Sequence, residues 1–436
     1  MTPLSLDPTL FDSIDPSTHP RAREILVEHE LLSEVLNPGC VLLVAPKGYG
    51  KTTLAVSSIG SMVGWLHIYQ TVEHLDSENT LSSLLDRITN AAWNYVRQHP
   101  AALQRLNRRA AGLKYFWQRY VGVDIDYLLE CLADDYPEYR QTILEIADLQ
   151  TKELFSATAE DHLRLHILLD CVVRLGFKGV TVWIDLDAEW SDLSDTSQKY
   201  LFYLFDSLYL VRNPNICFKC LVVPSVAERL NELRALQTLS VERFALRWQQ
   251  AQIEALINRR LHVASSGEIS KISHLIARDR WDGFLREFSD ISNPAAWLAL
   301  AKFAVTQVNQ SGRAPVDNEG WLQMRRAYCA EHLKIRLDEY GNFWRGPQRL
   351  DGLTERKRAI YPLVRYLYEN PGFQRTYKLM DKFGMDENTL NTNISRARKD
   401  HIEPIFADAP DNGETIYLVT DYRGGGYALF HTARSP

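Results

Sequence analysis

The sequence is poor in cysteine and methionine and has no long apolar run. Only six cysteines and five methionines occur in 436 residues. The cysteines are scattered, most of them among apolar residues, which is typical of reduced core thiols and excludes a disulfide scaffold. No apolar run approaches the roughly 20 residues of a membrane span, and the first residues lack the basic and apolar regions of a signal peptide. We therefore expect a cytoplasmic protein with no membrane segment.

An excess of positive charge is also missing. The 49 lysines and arginines face 55 aspartates and glutamates, a net charge of −6, so any contact with nucleic acid must come from a local patch. The length predicts two or three domains. Cys217 and Cys220 have the spacing of metal ligands, but they lie in a predicted buried strand with no second pair, which favours core thiols over zinc.

A glycine-rich turn stands between a predicted strand and a predicted helix. The strand is the apolar run from Cys40 to Val44, and the helix begins near Leu54. The turn fits G-x-x-x-x-G-K-[ST], with Ala45 in place of the first glycine. An ordinary glycine-rich turn is the alternative, but the flanking elements favour a P-loop. The residues predicted to bind ATP here are Pro46, Lys47, Gly48, Tyr49, Gly50, Lys51, Thr52 and Thr53.

The chemistry of a P-loop explains these residue types. Gly48 and Gly50 let the backbone approach phosphate, and successive amides at the helix N-terminus face the anion. Lys51 is predicted to bridge the β- and γ-phosphates, and Thr52 to place its hydroxyl on Mg²⁺.

An apolar strand that ends in an acid is the second landmark. The run Gly179–Asp185 predicts a strand beside the P-loop strand, with Asp185 as the carboxylate that binds Mg²⁺. Many ATPases place a catalytic glutamate directly after this acid, but Leu186 stands there. Either Asp187 or Glu189 must then polarise the attacking water, or hydrolysis is slow.

The order of these segments resembles the AAA+/STAND branch of P-loop NTPases. The resemblance implies an α/β fold with a parallel sheet and a helical lid, ATP and Mg²⁺ as ligands, and homo-oligomers that form with ATP. It also implies that Ser225, which follows the predicted strand 216–223, senses the γ-phosphate. The lid turn of the family carries an arginine, whereas this chain reads Asn293-Pro-Ala. Arg259 or Arg260 is the candidate substitute.

The C-terminal part has a different pattern of hairpin, three helices and hairpin, which is typical of a winged helix-turn-helix. Four segments resemble the output domain of OmpR-type response regulators: Leu-Thr-Glu-Arg from Leu353, Tyr-Glu-Asn-Pro-Gly from Tyr368, Asn-Ile-Ser-Arg-Ala-Arg-Lys from Asn393, and Arg-Gly-Gly-Gly-Tyr-Ala-Leu from Arg423. In that family the third helix enters the major groove and the wing touches the backbone. The residues that correspond to these contacts are Asn391, Asn393, Arg396, Arg398, Lys399 and Arg423.

These patterns predict five segments along the chain. They are an N-terminal lead-in and helix (1–38), a P-loop core (39–249) with a helical insertion at about 77–176, a helical lid (250–312), a linker helix (313–333) and the winged helix domain (334–436). Basic and aromatic residues mix in the insertion, from Arg97 to Tyr120. Such a mixture can hold nucleic acid, but a solvated helix face with aromatic anchors is the favoured interpretation.

Two functions remain open from the sequence. The first is an ATP-binding and ATP-hydrolysing switch whose winged helix binds DNA in a nucleotide-dependent manner. The second is a STAND-like signalling or defence scaffold with slow ATP turnover, whose winged helix docks a protein partner. The recognition helix favours DNA. Leu186 favours the scaffold. The charge balance does so too, because the chain from Lys334 onward has sixteen basic and fourteen acidic residues, a small excess for strong DNA binding.

Overall fold

The computed structural model describes residues 6–12, 21–25, 29–75, 79–106, 109–122, 124–151, 161–233, 241–288, 293–338, 340–346, 348–353, 359–403, 417–421 and 424–431. These residues form two compact units. One unit runs from Glu28 to Arg247, and the other contains the chain from Trp248 onward together with the described N-terminal segments 6–12 and 21–25. The division falls two residues before the predicted junction at 249/250, and the second unit holds the predicted lid, linker helix and winged helix together.

A parallel sheet of five strands forms the centre of the Glu28–Arg247 unit. Its strands are β1 (Val41–Val44), β2 (Leu66–Gln70), β3 (Val180–Asp185), β4 (Ile216–Val222) and β5 (Glu242–Ala245), in the order β2-β3-β4-β1-β5. Every residue of β3 and β4 is buried, as unbroken apolar runs in a parallel sheet predict. The prediction that the Asp185 strand lies beside the P-loop strand is wrong, because β4 separates β3 from β1. The register still aligns Asp185 and Leu43 with the same residue of β4, Leu221, so both strands end at one edge.

The N-terminal helix predicted from Arg21 to Leu36 is interrupted at His29 and Glu30. The described residues on either side include α1 (Ala22–Ile25), in the second unit, and α2 (Leu32–Leu36). Between them, the ring of buried His29 accepts the Leu31 amide at Nδ1 (3.1 Å), and its Nε2 lies 2.9 Å from the Arg247 carbonyl oxygen. In a continuous helix the Leu31 amide would donate to a backbone carbonyl oxygen one turn earlier, but here it donates to the His29 side chain.

The described residues of this unit contain nine further helices: α3 (Lys51–Ser61), α4 (Thr80–Gln98), α5 (Ala110–Tyr120), α6 (Ile125–Asp135), α7 (Arg140–Ala147), α8 (Asp161–Arg174), α9 (Asp195–Asp206), α10 (Leu208–Val211) and α11 (Pro224–Leu230). Helices α4 to α8 make up the predicted insertion. Its basic and aromatic stretch is partly core, since Lys114 and Trp117 are buried and Lys114 Nζ lies 2.9 Å from Asp126 Oδ1. Lys114 is therefore a packing residue.

The second unit begins with four helices, α12 (Gln250–Ala264), α13 (Arg278–Phe288), α14 (Pro294–Ser311) and α15 (Asn318–His332). Asn293 caps α14 through its side chain, and Pro294 lies in the first turn, which confirms the predicted start of this helix. Helix α13 was not predicted. A three-stranded antiparallel sheet follows, made of β6 (Ile335–Leu337), β7 (Phe343–Arg345) and β8 (Gln348–Arg349).

Three helices and a second small sheet complete this unit. The helices are α16 (Ile360–Glu369), α17 (Thr376–Phe383) and α18 (Glu387–Arg396), the last extended by a π-helical turn over Ala397–Ile402. The strands are β9 (Gln374–Arg375), β10 (Leu418–Asp421) and β11 (Gly426–Leu429), in the antiparallel order β10-β11-β9. This is the winged helix-turn-helix that the sequence predicts.

One hydrophobic core runs through the whole second unit. It contains residues of the N-terminal segment 6–12, of α12 to α16 and of the final hairpin. Tyr417 ties the hairpin to α15 because its buried hydroxyl donates to the Leu333 carbonyl oxygen at 2.5 Å. The expectation of a loose N-terminal lead-in is wrong for residues 6–12, where Leu10 and Phe11 are buried. No helix among the described residues is long and apolar enough to span a membrane.

Candidate functional site

The loop between β1 and α3 has the backbone that an anion cradle requires. Gly48 and Gly50 adopt φ values of +85° and +80°, a region that residues with a side chain rarely enter. Gly50 is the N-cap of α3, and no side chain caps this helix end. The first amides of α3 are therefore left for a ligand, at the positively polarised end of the helix.

Lys51 is drawn into this loop. Its side chain is 2% exposed, and Nζ donates to the carbonyl oxygens of Ala45 (3.0 Å) and Pro46 (3.1 Å). Nζ also pairs with Asp187 Oδ1 at 2.5 Å, and Asp187 itself is half-exposed. A phosphate that enters the loop would meet the Lys51 ammonium group already positioned there. Asp187 would compete with that phosphate for the ammonium group.

Asp185 lies beside the loop and has one oxygen occupied. Its Oδ2 accepts hydrogen bonds from Thr52 Oγ1 and from the Tyr69 hydroxyl, both at 2.5 Å. Its Oδ1 is buried and has no hydrogen-bond partner among the described residues. Burial raises the pKa of Asp185, the bonds from Thr52 and Tyr69 oppose that rise, and the charge of Asp187 adds to it.

Sequence reasoning missed Tyr69. The residue lies near the end of β2. This strand pairs with the edge of β3 that is opposite the edge paired with β4. A polar side chain near the carboxyl end of a strand next to the acid-bearing strand is the signal that could have indicated it.

These residues fit a magnesium-bound phosphate ligand. Mg²⁺ takes oxygen ligands, usually one or two protein groups together with waters and phosphates. The Thr52 hydroxyl has a single hydrogen, which it gives to Asp185, so its lone pairs remain available to a cation. The buried Asp185 Oδ1, which accepts no hydrogen bond from any described residue, supplies a second oxygen. Thr52 and Asp185 can therefore hold the cation, while the loop amides hold the phosphates.

A cavity of about 940 Å³ opens over this group. This volume is in the range of small-molecule sites. Part of its wall is apolar, from Val56 and Ile59 of α3 and from Val72. The polar wall includes Lys47, Thr52, Tyr69, Glu73, Asp185 and Asp187.

Two predicted site residues lie elsewhere. Ser225 Oγ donates to Glu189 Oε2 at 2.5 Å and accepts the Trp190 amide at 3.1 Å. Ser225 and Glu189 line a second cavity of about 530 Å³ with Trp190 and Glu228, and neither lines the cavity over Thr52 and Asp185. The structure thus brings these two residues to each other and not to the P-loop group.

The arginines considered for the lid are both engaged with N-terminal segments. The Arg260 guanidinium is 5% exposed and donates to the carbonyl oxygens of Leu10 (2.7 Å) and Asp12 (3.2 Å). A role for Arg260 at the nucleotide is therefore wrong. Arg259 Nε donates to the Glu24 carbonyl oxygen at 2.5 Å.

The residues predicted to contact DNA divide into exposed and internal ones. Asn391, Arg396 and Lys399 are exposed, and Asn391 Oδ1 accepts a hydrogen bond from the Tyr427 hydroxyl of β11. Arg423 lies outside the described residues.

The structure corrects two of these predictions. Asn393 is 7% exposed, and its amide donates to Met385 Sδ at 3.4 Å, so it faces the core and not a groove. Arg398 is half-buried and holds β10, because Nε donates to the Leu418 carbonyl oxygen (3.0 Å) and Nη2 to Thr420 Oγ1 (2.7 Å). Arg398 therefore joins the recognition helix to the wing.

Sheet order, loop backbone and the Lys51–Thr52–Asp185 group together define a P-loop nucleotide-binding fold, in a chain that also carries a winged helix-turn-helix. No family model matches the chain, and no curated protein matches it. Among solved structures, the Orc1 protein of Aeropyrum pernix in complex with DNA aligns with 98% of this chain and 94% of its own, at 12% identity and a TM-score of 0.37. Cdc6p from Pyrobaculum aerophilum aligns with 99% of this chain and 95% of its own, at 11% identity and a TM-score of 0.42. The assignment to the P-loop class therefore rests on the sheet and the loop.

Proposed function

We propose that this chain is an ATP-binding and ATP-hydrolysing molecular switch whose winged helix binds DNA in a nucleotide-dependent manner. The observation that carries the proposal is the meeting of Lys51, Thr52 and Asp185 at one edge of the sheet, beside a glycine loop that leads into a helix N-terminus with no side-chain cap among the described residues. Bound Mg²⁺ would supply charge neutralisation of the phosphates. Lys51 would leave Asp187 for the β- and γ-phosphates.

Asp187 is the acid that we assign to the attacking water. Of the two acids predicted for this role, Asp187 lines the cavity, while Glu189 is bound to Ser225. Once Lys51 turns to the phosphates, the Asp187 carboxylate is released and can accept a proton from water. The same exchange would link nucleotide binding to a change at the β3 end of the sheet.

The DNA part of the proposal is tested by titrating duplex DNA against the full chain without nucleotide, with ADP and with ATP, at two salt concentrations. We expect ATP to change the affinity, and Arg396→Ala and Lys399→Ala to weaken binding and lower the salt slope by about one each. Exposed Arg313, on the loop after α14, provides the control variant Arg313→Ala. Binding that both winged-helix variants leave unchanged would exclude this surface.

A second candidate is a scaffold whose winged helix docks a protein and whose ATP turnover is slow. Leu186 after Asp185, and the internal roles of Asn393 and Arg398, favour it. It predicts ATP binding without DNA binding at any nucleotide state. Under either candidate we propose ATP-dependent homo-oligomers, which light scattering with and without ATP would detect.

A further inference from the structure

We infer that Tyr69 is a positioning residue for the magnesium ion, which it serves by holding the Asp185 carboxylate in one orientation. The inference rests on the proposed nucleotide site and adds a residue to it. Tyr69 is half-buried and lies in β2, paired with Trp183, two residues before Asp185 in the neighbouring strand β3. Its ring crosses from one strand to the next and its hydroxyl reaches Asp185 Oδ2.

The geometry assigns different tasks to the two oxygens of this carboxylate. Oδ2 accepts hydrogen bonds from both Tyr69 and Thr52, whereas Oδ1 is buried and accepts none from the part of the chain that the structure describes. A buried acceptor without a partner is unfavourable, and a cation that binds there would satisfy it. Two donors on Oδ2 fix the rotation of the carboxylate, so that Oδ1 stays directed away from them.

Thr52 and Tyr69 hold this oxygen from two different elements, α3 and β2. With a cation present, the Thr52 hydroxyl would donate its one hydrogen to the carboxylate and offer a lone pair to the ion. Tyr69 reaches the carboxylate from the neighbouring strand β2. Outer partners of this kind typically change metal affinity 10- to 100-fold when they are removed.

The test is the Mg²⁺ dependence of ATP binding to the full chain, measured by calorimetry from EDTA to millimolar Mg²⁺. Tyr69→Phe keeps the ring and removes only the hydroxyl. We expect this variant to need about tenfold more Mg²⁺ for the half-maximal gain in ATP affinity, while its affinity in EDTA stays that of the wild type. Tyr127→Phe, at a residue 65% exposed on α6, is the matched control and should alter neither quantity.

Thermal unfolding of each variant checks the fold, and Tyr69→Met serves as a second replacement with the same expected shift. A Tyr69→Phe variant with the wild-type Mg²⁺ dependence would overturn the inference and leave the nucleotide site intact. A loss of ATP affinity in EDTA as large as the loss in Mg²⁺ would also overturn the inference, because Tyr69 would then act on the loop as a whole and not on the magnesium ion. A wild-type chain that binds no ATP would instead refute the proposed function.

Discussion

Replacing Asp187 with asparagine should separate the two roles that the structure gives this acid. Asp187 Oδ1 lies 2.5 Å from Lys51 Nζ, with the lysine side chain 2% and the aspartate side chain 45% exposed. Ion pairs with an exposed partner contribute at most about 1 kcal/mol, and about 1.4 kcal/mol corresponds to a tenfold change in affinity. Loss of this competitor should therefore tighten ATP binding about two- to fivefold.

The same substitution should slow turnover, since asparagine cannot accept the proton of the attacking water. A general base contributes about 10²–10⁴-fold, so we expect a fall of at least about a hundredfold at saturating ATP. Calorimetry gives the affinity and phosphate release gives the turnover. Weaker ATP binding would refute the competition between Asp187 and phosphate for Lys51. Unchanged turnover would show that another group activates the water.

Three more predictions concern folding. Burial raises the pKa of Asp185 in the folded state above its ordinary value in the unfolded chain. Ionising Asp185 therefore lowers the free energy of unfolding as the pH rises from the ordinary pKa through the raised one, and this cost is absent at lower pH. Asp185→Asn should therefore raise Tm at pH 7 and raise it less at pH 4, and a lower Tm at pH 7 would contradict this. Arg398→Ala removes two hydrogen bonds to the wing strand and should lower the free energy of unfolding by about 1–3 kcal/mol in urea melts, whereas exposed Arg396→Ala should stay within about 0.5 kcal/mol; equal effects would show that Arg398 does not hold the wing. Arg260→Met removes the donor for two carbonyl oxygens of segment 6–12, so this segment should be cut faster in limited proteolysis, and an unchanged rate would show that the guanidinium does not hold it.

Local patterns in the sequence predicted most elements, because they depend on neighbours along the chain. The buried strands β3 and β4 follow from unbroken apolar runs, and the start of α14 follows from Asn293 and Pro294. Gly384 ends α17 in the left-handed conformation, and Asp386 caps α18, both as their residue types indicate.

Features that depend on distant contacts could not be read this way. The order of strands places β4 between the P-loop strand and the Asp185 strand, and no local pattern encodes which strands are neighbours. Arg260 and Arg398 look like exposed cations in sequence, yet each binds backbone carbonyl oxygens of another segment. Asn393 has the spacing of a groove contact but lies on the core side of its helix.

The candidate site was predicted in part for the same reason. Lys51 and Thr52 belong to one short motif, and Asp185 ends an apolar strand, so each could be predicted alone. Tyr69 was missed, because its role depends on the pairing of β2 with β3 and not on a motif. The meeting of Ser225 with Glu189 likewise depends on how the start of α11 packs against the segment that follows β3.

The claim that a triphosphate binds in the loop between β1 and α3 is tested most directly by calorimetric titration of ATP with Mg²⁺ into the wild type, Lys51→Met and Lys199→Met. Lys199 is exposed on α9 and controls for the loss of one positive charge. A hydrogen bond to a charged group contributes about 1.5–3 kcal/mol, so Lys51→Met should bind ATP about 10- to 100-fold more weakly, while Lys199→Met should match the wild type. Equal ATP affinity in all three proteins would contradict the account, and so would the absence of ATP binding by any of them.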